Sequence, residues 1–153
     1  MLATRLLTAL ILAPFVIGGI FLLPPAGFAL FIGIVLTISA YEWADLCGYE
    51  HNGQVVYTVV AASALFASVW VPHDWIIPLV GTGILWWLAA LVFVIRYPLL
   101  SSVWQDQWGR ACLGLLMMVP GYVALNVMKQ SVDGGFWIFL LFMLIWSADA
   151  GAY

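Results

Sequence analysis

Between Arg5 and Glu42 the chain carries no charged residue, a run far longer than the ~20 apolar residues of one membrane crossing. Such a run must fold back on itself. Pro24-Pro25-Ala26-Gly27 marks the reversal, because paired prolines remove donors and fix φ while glycine tolerates a turn. The pattern predicts a first span over Leu6–Leu23 and a second over Gly27–Leu46. Pro14 predicts a kink in the first, which membrane helices tolerate when neighbours satisfy the freed carbonyl. A polar patch from Glu42 through Gln54 closes the second span, and Val55–Val71 forms a third. Pro72-His73-Asp74 is a tight polar turn, followed by a fourth span over Trp75–Ile95. The polar connector Arg96–Arg110 carries Trp104 and Trp108 four residues apart, a spacing that predicts a short helix lying in the interface. A fifth span covers Ala111–Met128, Lys129–Gly135 turns the chain, and a sixth span runs from Phe136 to Trp146. The expected fold is therefore all-α, a polytopic integral membrane protein of about six transmembrane helices, with residues 1–153 forming one transmembrane helical region.

Composition supports lipid as the solvent. Of 153 residues, 66% are hydrophobic and 7% charged, against roughly 25% charged in a soluble domain. Four Lys/Arg and seven Asp/Glu cannot wet the outside of a globule. An N-terminal positive charge before an apolar run also fits a secretory signal, but the equally apolar stretch after it argues for an anchor. The net charge of −3 rests on too few groups to indicate a partner, and no basic run exists to neutralise nucleic-acid phosphates. Cys47 and Cys112 have neither metal-ligand spacing nor the density of a disulfide framework, and read as small apolar fillers. Most of the nine tryptophans read as interfacial anchors, with Trp70 and Trp75 flanking a turn.

The positions of Lys and Arg set an expected orientation. Six spans from a cytoplasmic N-terminus place Arg5, Arg96 and Arg110 inside and Lys129 alone outside. The end of span six, with Asp149, then faces the cytoplasm. Asp149 is the most informative residue: residues 134–148 contain no ionisable group, and a carboxylate then precedes Ala150, Gly151 and Ala152. An acidic group at membrane depth is a functional-site candidate, whereas one at headgroup level simply ends a span. Both readings stand on spacing alone. Glu42 and Asp45 share a helix face, either as a solvated helix end or as part of a polar, cation-binding cavity. Arg5, Arg96 and Arg110 fit phosphate or lipid headgroups as well as positive-inside topology. His51 and His73 stand in separate loops and share no metal. Gly18-Gly19, Gly81 and Gly83 read as helix-packing positions.

Trp146-Ser147-Ala148-Asp149-Ala150-Gly151-Ala152-Tyr153 resembles the tryptophan, aspartate and Gly-Ala-aromatic stretch of bacterial phosphatidate cytidylyltransferases, also called CDP-diacylglycerol synthases. Arg5-Leu6-Leu7-Thr8-Ala9, Glu42-Trp43, and Gly114 with Pro120 agree with it in order along the chain. The resemblance implies a membrane enzyme that joins CTP to phosphatidic acid, giving CDP-diacylglycerol and pyrophosphate in phospholipid biosynthesis. It implies Asp149 as a catalytic residue and Mg2+ ligand, and Gly151 and Ala152 as residues that shape nucleotide approach. It further implies a bacterial inner (plasma) membrane location, while the sequence leaves open whether the chain forms a homo-oligomer. The family's downstream signature, a Ser/Lys-rich phosphate segment and a later Asp-bearing helix, is not in these 153 residues. The chain therefore resembles an N-terminal portion, expected to be inactive alone. The competing reading is a non-enzymatic membrane protein, such as a transporter subunit or helical assembly partner. That reading calls for ionisable groups in mid-span, where the pattern shows none.

Overall fold

The computed structural model describes residues 2–99 and 105–152, with side chains from residue 12 onward except that of residue 150. Among them are six helices and no strand: α1 (Leu2–Leu22), α2 (Pro25–Leu46), α3 (His51–Ser68), α4 (His73–Ile95), α5 (Gln107–Gln130) and α6 (Gly134–Gly151). The six expected spans each correspond to one helix. α2, α4 and α5 are long and apolar enough to cross a membrane, and α1 and α6 carry the shorter apolar stretches Leu12–Leu22 and Gly134–Asp149. α3 opens on His51-Asn52-Gly53-Gln54, and these polar residues dilute an otherwise apolar helix. Leu30, Phe66, Trp87, Leu91 and many other large apolar side chains are exposed, an outside that only lipid can solvate. The protein is a helical, polytopic membrane protein.

Several helix starts lie earlier than the hydrophobic pattern indicated. Pro25 opens α2 rather than standing in the reversal, because a proline at the first helical position gives up an N–H that has no partner anyway. Gly27 consequently lies inside α2. His51 and His73 are not loop residues: each is the first residue of its helix. Trp108 belongs to the first turn of α5, not to a separate interfacial helix, while Trp104 falls outside the described residues. In each case the backbone continues its hydrogen bonding past the apolar stretch, as polar side chains at a helix end stay wet.

The chain divides into two compact units, residues 1–31 with 125–153, and residues 32–124. In the first, α1 packs against α6. Phe21 meets Phe139 with ring centroids 5.8 Å apart, and Ile20 and Ile138 are fully buried. Gly19 leaves room for Phe31, whose ring would lie 2.7 Å from a Cβ there, whereas Gly18 faces only its own helix. Lys129 Nζ donates to the Ile20 carbonyl at the end of α1 and stands 5.4 Å from the centre of the Phe28 ring. The cation thus caps the negative end of a helix, a structural role that the orientation count treated as topology.

The second unit has a core of small residues, Ala40, Ala44, Ala61 and Ala111, around Tyr57 and Met118. Helices in lipid gain little by hiding apolar surface from one another, so small side chains that admit close approach mark their contacts. Gly83 follows the same rule: a Cβ there would lie 2.8 Å from Pro120. Gly81 does not, as nothing lies within 4 Å of a Cβ at that position.

Candidate functional site

Among the described residues, two gatherings of polar chemistry stand out, one in each unit. In the first unit, α6 runs apolar from Phe136 to Trp146 and reaches Asp149 in its last turn. The Asp149 side chain is exposed. Ala152 closes the helix, its N–H donating to the Ala148 carbonyl at 3.0 Å. A Cβ on Gly151 would meet nothing within 4 Å among the described residues. Ser147 turns its hydroxyl back onto the Met143 carbonyl, and Trp146 packs on Phe142 of its own helix, centroids 5.9 Å apart. Neither side chain competes for the carboxylate.

An exposed carboxylate directly after an apolar helical run favours a cation. No group of three or more His, Cys, Asp or Glu suited to a metal exists among the described residues. Asp149 thus supplies one hard oxygen donor rather than a complete cage. Magnesium fits such a place, since it is commonly held by one or two carboxylates together with substrate phosphates and water.

In the second unit a polar clasp joins α2, α3 and α5, its one unmatched buried side-chain atom among the described residues being Arg110 Nε. Trp43 Nε1 donates to the Arg110 carbonyl at 3.0 Å, and Tyr57 Oη donates to the Ala111 carbonyl at 3.0 Å. Gly114 makes both possible, because a Cβ there would lie 2.3 Å from Trp43 Nε1 and 2.5 Å from Tyr57 Oη. α2 ends with Gly48 at φ +85°, and the bonds Gly48 N–H to Asp45 O (2.8 Å) and Tyr49 N–H to Ala44 O (3.1 Å) form a Schellman cap. Arg110 Nη2 completes that cap by donating to the Cys47 carbonyl at 2.8 Å. Burial pushes the Cys47 thiol up, opposed in part by the Arg110 guanidinium. Gln54 Nε2 donates to Asp45 Oδ1 at 2.8 Å and to the Tyr49 carbonyl at 3.0 Å.

The sequence-derived candidates separate accordingly. Asp149, Gly151 and Ala152 share the end of α6. Asp45 joins the clasp through Gln54, while Glu42 is exposed near the end of α2. His51 pairs with Tyr41 Oη at 3.2 Å, and His73 is exposed at the start of α4. Arg96 is exposed at the end of α4, and the side chain of Arg5 lies outside those described. Sequence reasoning missed the roles of Tyr57 and Gln54. Their signal was spacing: Gln54, Tyr57, Ala61, Leu65 and Ser68 are the buried residues of α3, three or four apart along one face.

A helical membrane protein with an exposed carboxylate after an apolar run defines a class, and comparison with known proteins narrows it. Residues 3–153 match the model of the cytidylyltransferase family, and the chain belongs to that family. It is similar to the phosphatidate cytidylyltransferase of Pseudomonas aeruginosa, with 40% identity over 158 residues, covering 100% of this chain and 56% of the relative. The phosphatidate cytidylyltransferase of Haemophilus influenzae is 28% identical, covering 100% of this chain and 59% of the relative. That of Brucella suis is 27% identical, covering 99% and 53%. The chain thus spans little more than half the length of these relatives. No solved structure matches it.

Proposed function

We propose that the chain is part of a phosphatidate cytidylyltransferase, a CTP-dependent nucleotidyltransferase of phospholipid biosynthesis. The observation that carries this reading is Asp149, exposed at the end of an apolar helix in a chain that matches the cytidylyltransferase family over residues 3–153. A phosphate oxygen of phosphatidic acid attacks the α-phosphorus of CTP. The new P–O bond gives CDP-diacylglycerol, and the bond to the β-phosphate breaks to release pyrophosphate. Catalysis of such a transfer is mainly positioning and neutralisation of charge. A bound magnesium ion would supply that neutralisation, and Asp149 is the residue that would hold it. Gly151 and Ala152 keep the approach to the carboxylate clear for the nucleotide. The remaining carboxylate and the basic phosphate contacts belong, in this reading, to the part of the longer relatives that these 153 residues do not cover.

The same reading places the protein in a bacterial plasma membrane with its N-terminus in the cytoplasm, so that soluble CTP and a membrane lipid both reach the end of α6. The charged residues of α2, α4 and α5 all lie near helix ends, which supports an interfacial reaction over transport through mid-span charges. A chimera tests the proposal: residues 1–153 replace the matching part of the Pseudomonas aeruginosa relative, and labelled CTP is supplied with phosphatidic acid and magnesium. The expected result is CDP-diacylglycerol formation by the chimera and its loss in Asp149→Ala. A folded chimera that makes no product would overturn the activity, and an active Asp149→Ala chimera would overturn the role of the carboxylate.

A further inference from the structure

Beside the turn that joins α3 to α4 lies an open apolar groove of about 510 Å³, lined by Val71, Pro72, Trp75, Pro78, Leu79 and Thr82. Thr82 brings its only hydroxyl, and that group is engaged within its own helix, donating to the Leu79 carbonyl at 2.6 Å. From Trp75 to Thr82 the groove follows about 10 Å of helix at ~1.5 Å per residue, roughly a third of a ~30 Å hydrocarbon core. The polar end lies just outside this lining: His73 and Asp74 stand in sequence between the lining residues Pro72 and Trp75, open α4 and are both exposed, and the Asp74 carboxylate has no hydrogen-bond or ion-pair partner among the described residues. Pro78, which has no N–H, also withholds the donor that the Asp74 carbonyl would otherwise meet one turn on.

We propose that this groove seats one acyl chain of a phospholipid whose headgroup carries a primary ammonium, with the ammonium at Asp74. Apolar walls select nothing in a bilayer, because lipid tails are as apolar as leucine and exchange one such surface for another. Selection therefore comes from the polar end. There a carboxylate and a carbonyl short of its helical donor offer acceptors, and residues 51–95 contain no Lys or Arg. A primary ammonium brings both the opposite charge and N–H donors, whereas an anionic headgroup meets like charge. Trp70 and Trp75, both exposed on either side of the turn, put this end at the depth where indole rings sit between water and hydrocarbon. The groove is defined without reference to CTP or Asp149, so the proposal is independent of the activity.

The test uses the chimera of residues 1–153 with the remaining part of the Pseudomonas aeruginosa relative, in nanodiscs of phosphatidylcholine doped with a phosphatidylethanolamine carrying a diazirine in its tail, beside the same probe built on phosphatidylglycerol. Photolabelled peptides are then read by mass spectrometry. The ethanolamine probe is expected to label residues 71–82 about 3- to 5-fold more than the glycerol probe, the ratio an exposed ion pair supports. Asp74→Asn is expected to abolish that preference while labelling of the segment persists. Leu79→Trp, which fills the groove, is expected to remove the labelling itself, with circular dichroism confirming unchanged helicity. Equal labelling by both probes in the parent protein means ordinary boundary lipid and overturns the proposal. So does a crosslinked dimer whose dissociation is needed before the groove labels, since the occupant is then a second copy.

Discussion

Gly114 and Gly151 both lie in helices beside polar groups, and their surroundings differ completely. A Cβ on Gly114 would collide with Trp43 and Tyr57, while a Cβ on Gly151 would touch nothing. Around Gly114, side chains from α2 and α3 already bond to carbonyls of α5. Around Gly151, the Asp149 carboxylate is exposed. The first arrangement spends its polar groups, Arg110 Nε excepted, on holding helices together. The second leaves a carboxylate available to something else. Polar chemistry in a membrane protein therefore signals function only where it remains unmatched by the protein itself.

Substitutions can separate these two kinds of polar site. The largest effect is expected from Asp149→Ala in the chimera: loss of CDP-diacylglycerol formation by about 100-fold or more, the scale of several kcal/mol of charge stabilisation, with thermal stability unchanged. A parallel loss of stability would make Asp149 structural and erase the contrast. Next comes Gly114→Ala, expected to destabilise by about 1–3 kcal/mol through overpacking, read as a lower unfolding midpoint in detergent. A neutral Gly114→Ala would mean that Trp43 and Tyr57 move away freely and that the clasp is loose.

Smaller changes sharpen the picture. Tyr57→Phe removes one hydroxyl donor and should cost about 0.5–1.5 kcal/mol, with activity following stability. Lys129→Met should cost about 1 kcal/mol or less by uncapping α1, measured by the same unfolding midpoint. Gly151→Ala is expected to leave stability within about 0.5 kcal/mol, as for a surface position. Any fall in its activity then comes from hindered approach of ligand, and the KM for CTP should rise more than kcat falls. If stability drops instead, the end of α6 is packed rather than open.

Much of the fold was legible in the sequence because each crossing needs a long apolar stretch, and prolines and polar patches interrupt those stretches at the turns. Helix starts were less legible. His51, His73 and Gln107 are not apolar, yet each begins a helix, because backbone hydrogen bonding does not stop where hydrocarbon does. Packing was the least legible: with lipid on one side and protein on the other, both faces of a helix are apolar and periodicity loses its contrast. Gly18 and Gly81 looked the same as Gly19 and Gly83, but only the latter two meet another helix. Asp149 was visible because a lone carboxylate after an apolar run is conspicuous; the clasp was not, because Trp43 and Tyr57 resemble ordinary interfacial aromatics until their donors find carbonyls.

By itself the sequence determined that this protein is solvated by lipid, that it is built from helices, and where an acidic group ends the last of them, since those properties follow from hydrophobicity and charge counted along the chain. Tertiary structure decided which polar groups are consumed in packing and which stay open. That choice depends on distances of a few ångströms between residues far apart in sequence, such as Tyr57 and Ala111 or Lys129 and Ile20, and only the assembled helices set those distances.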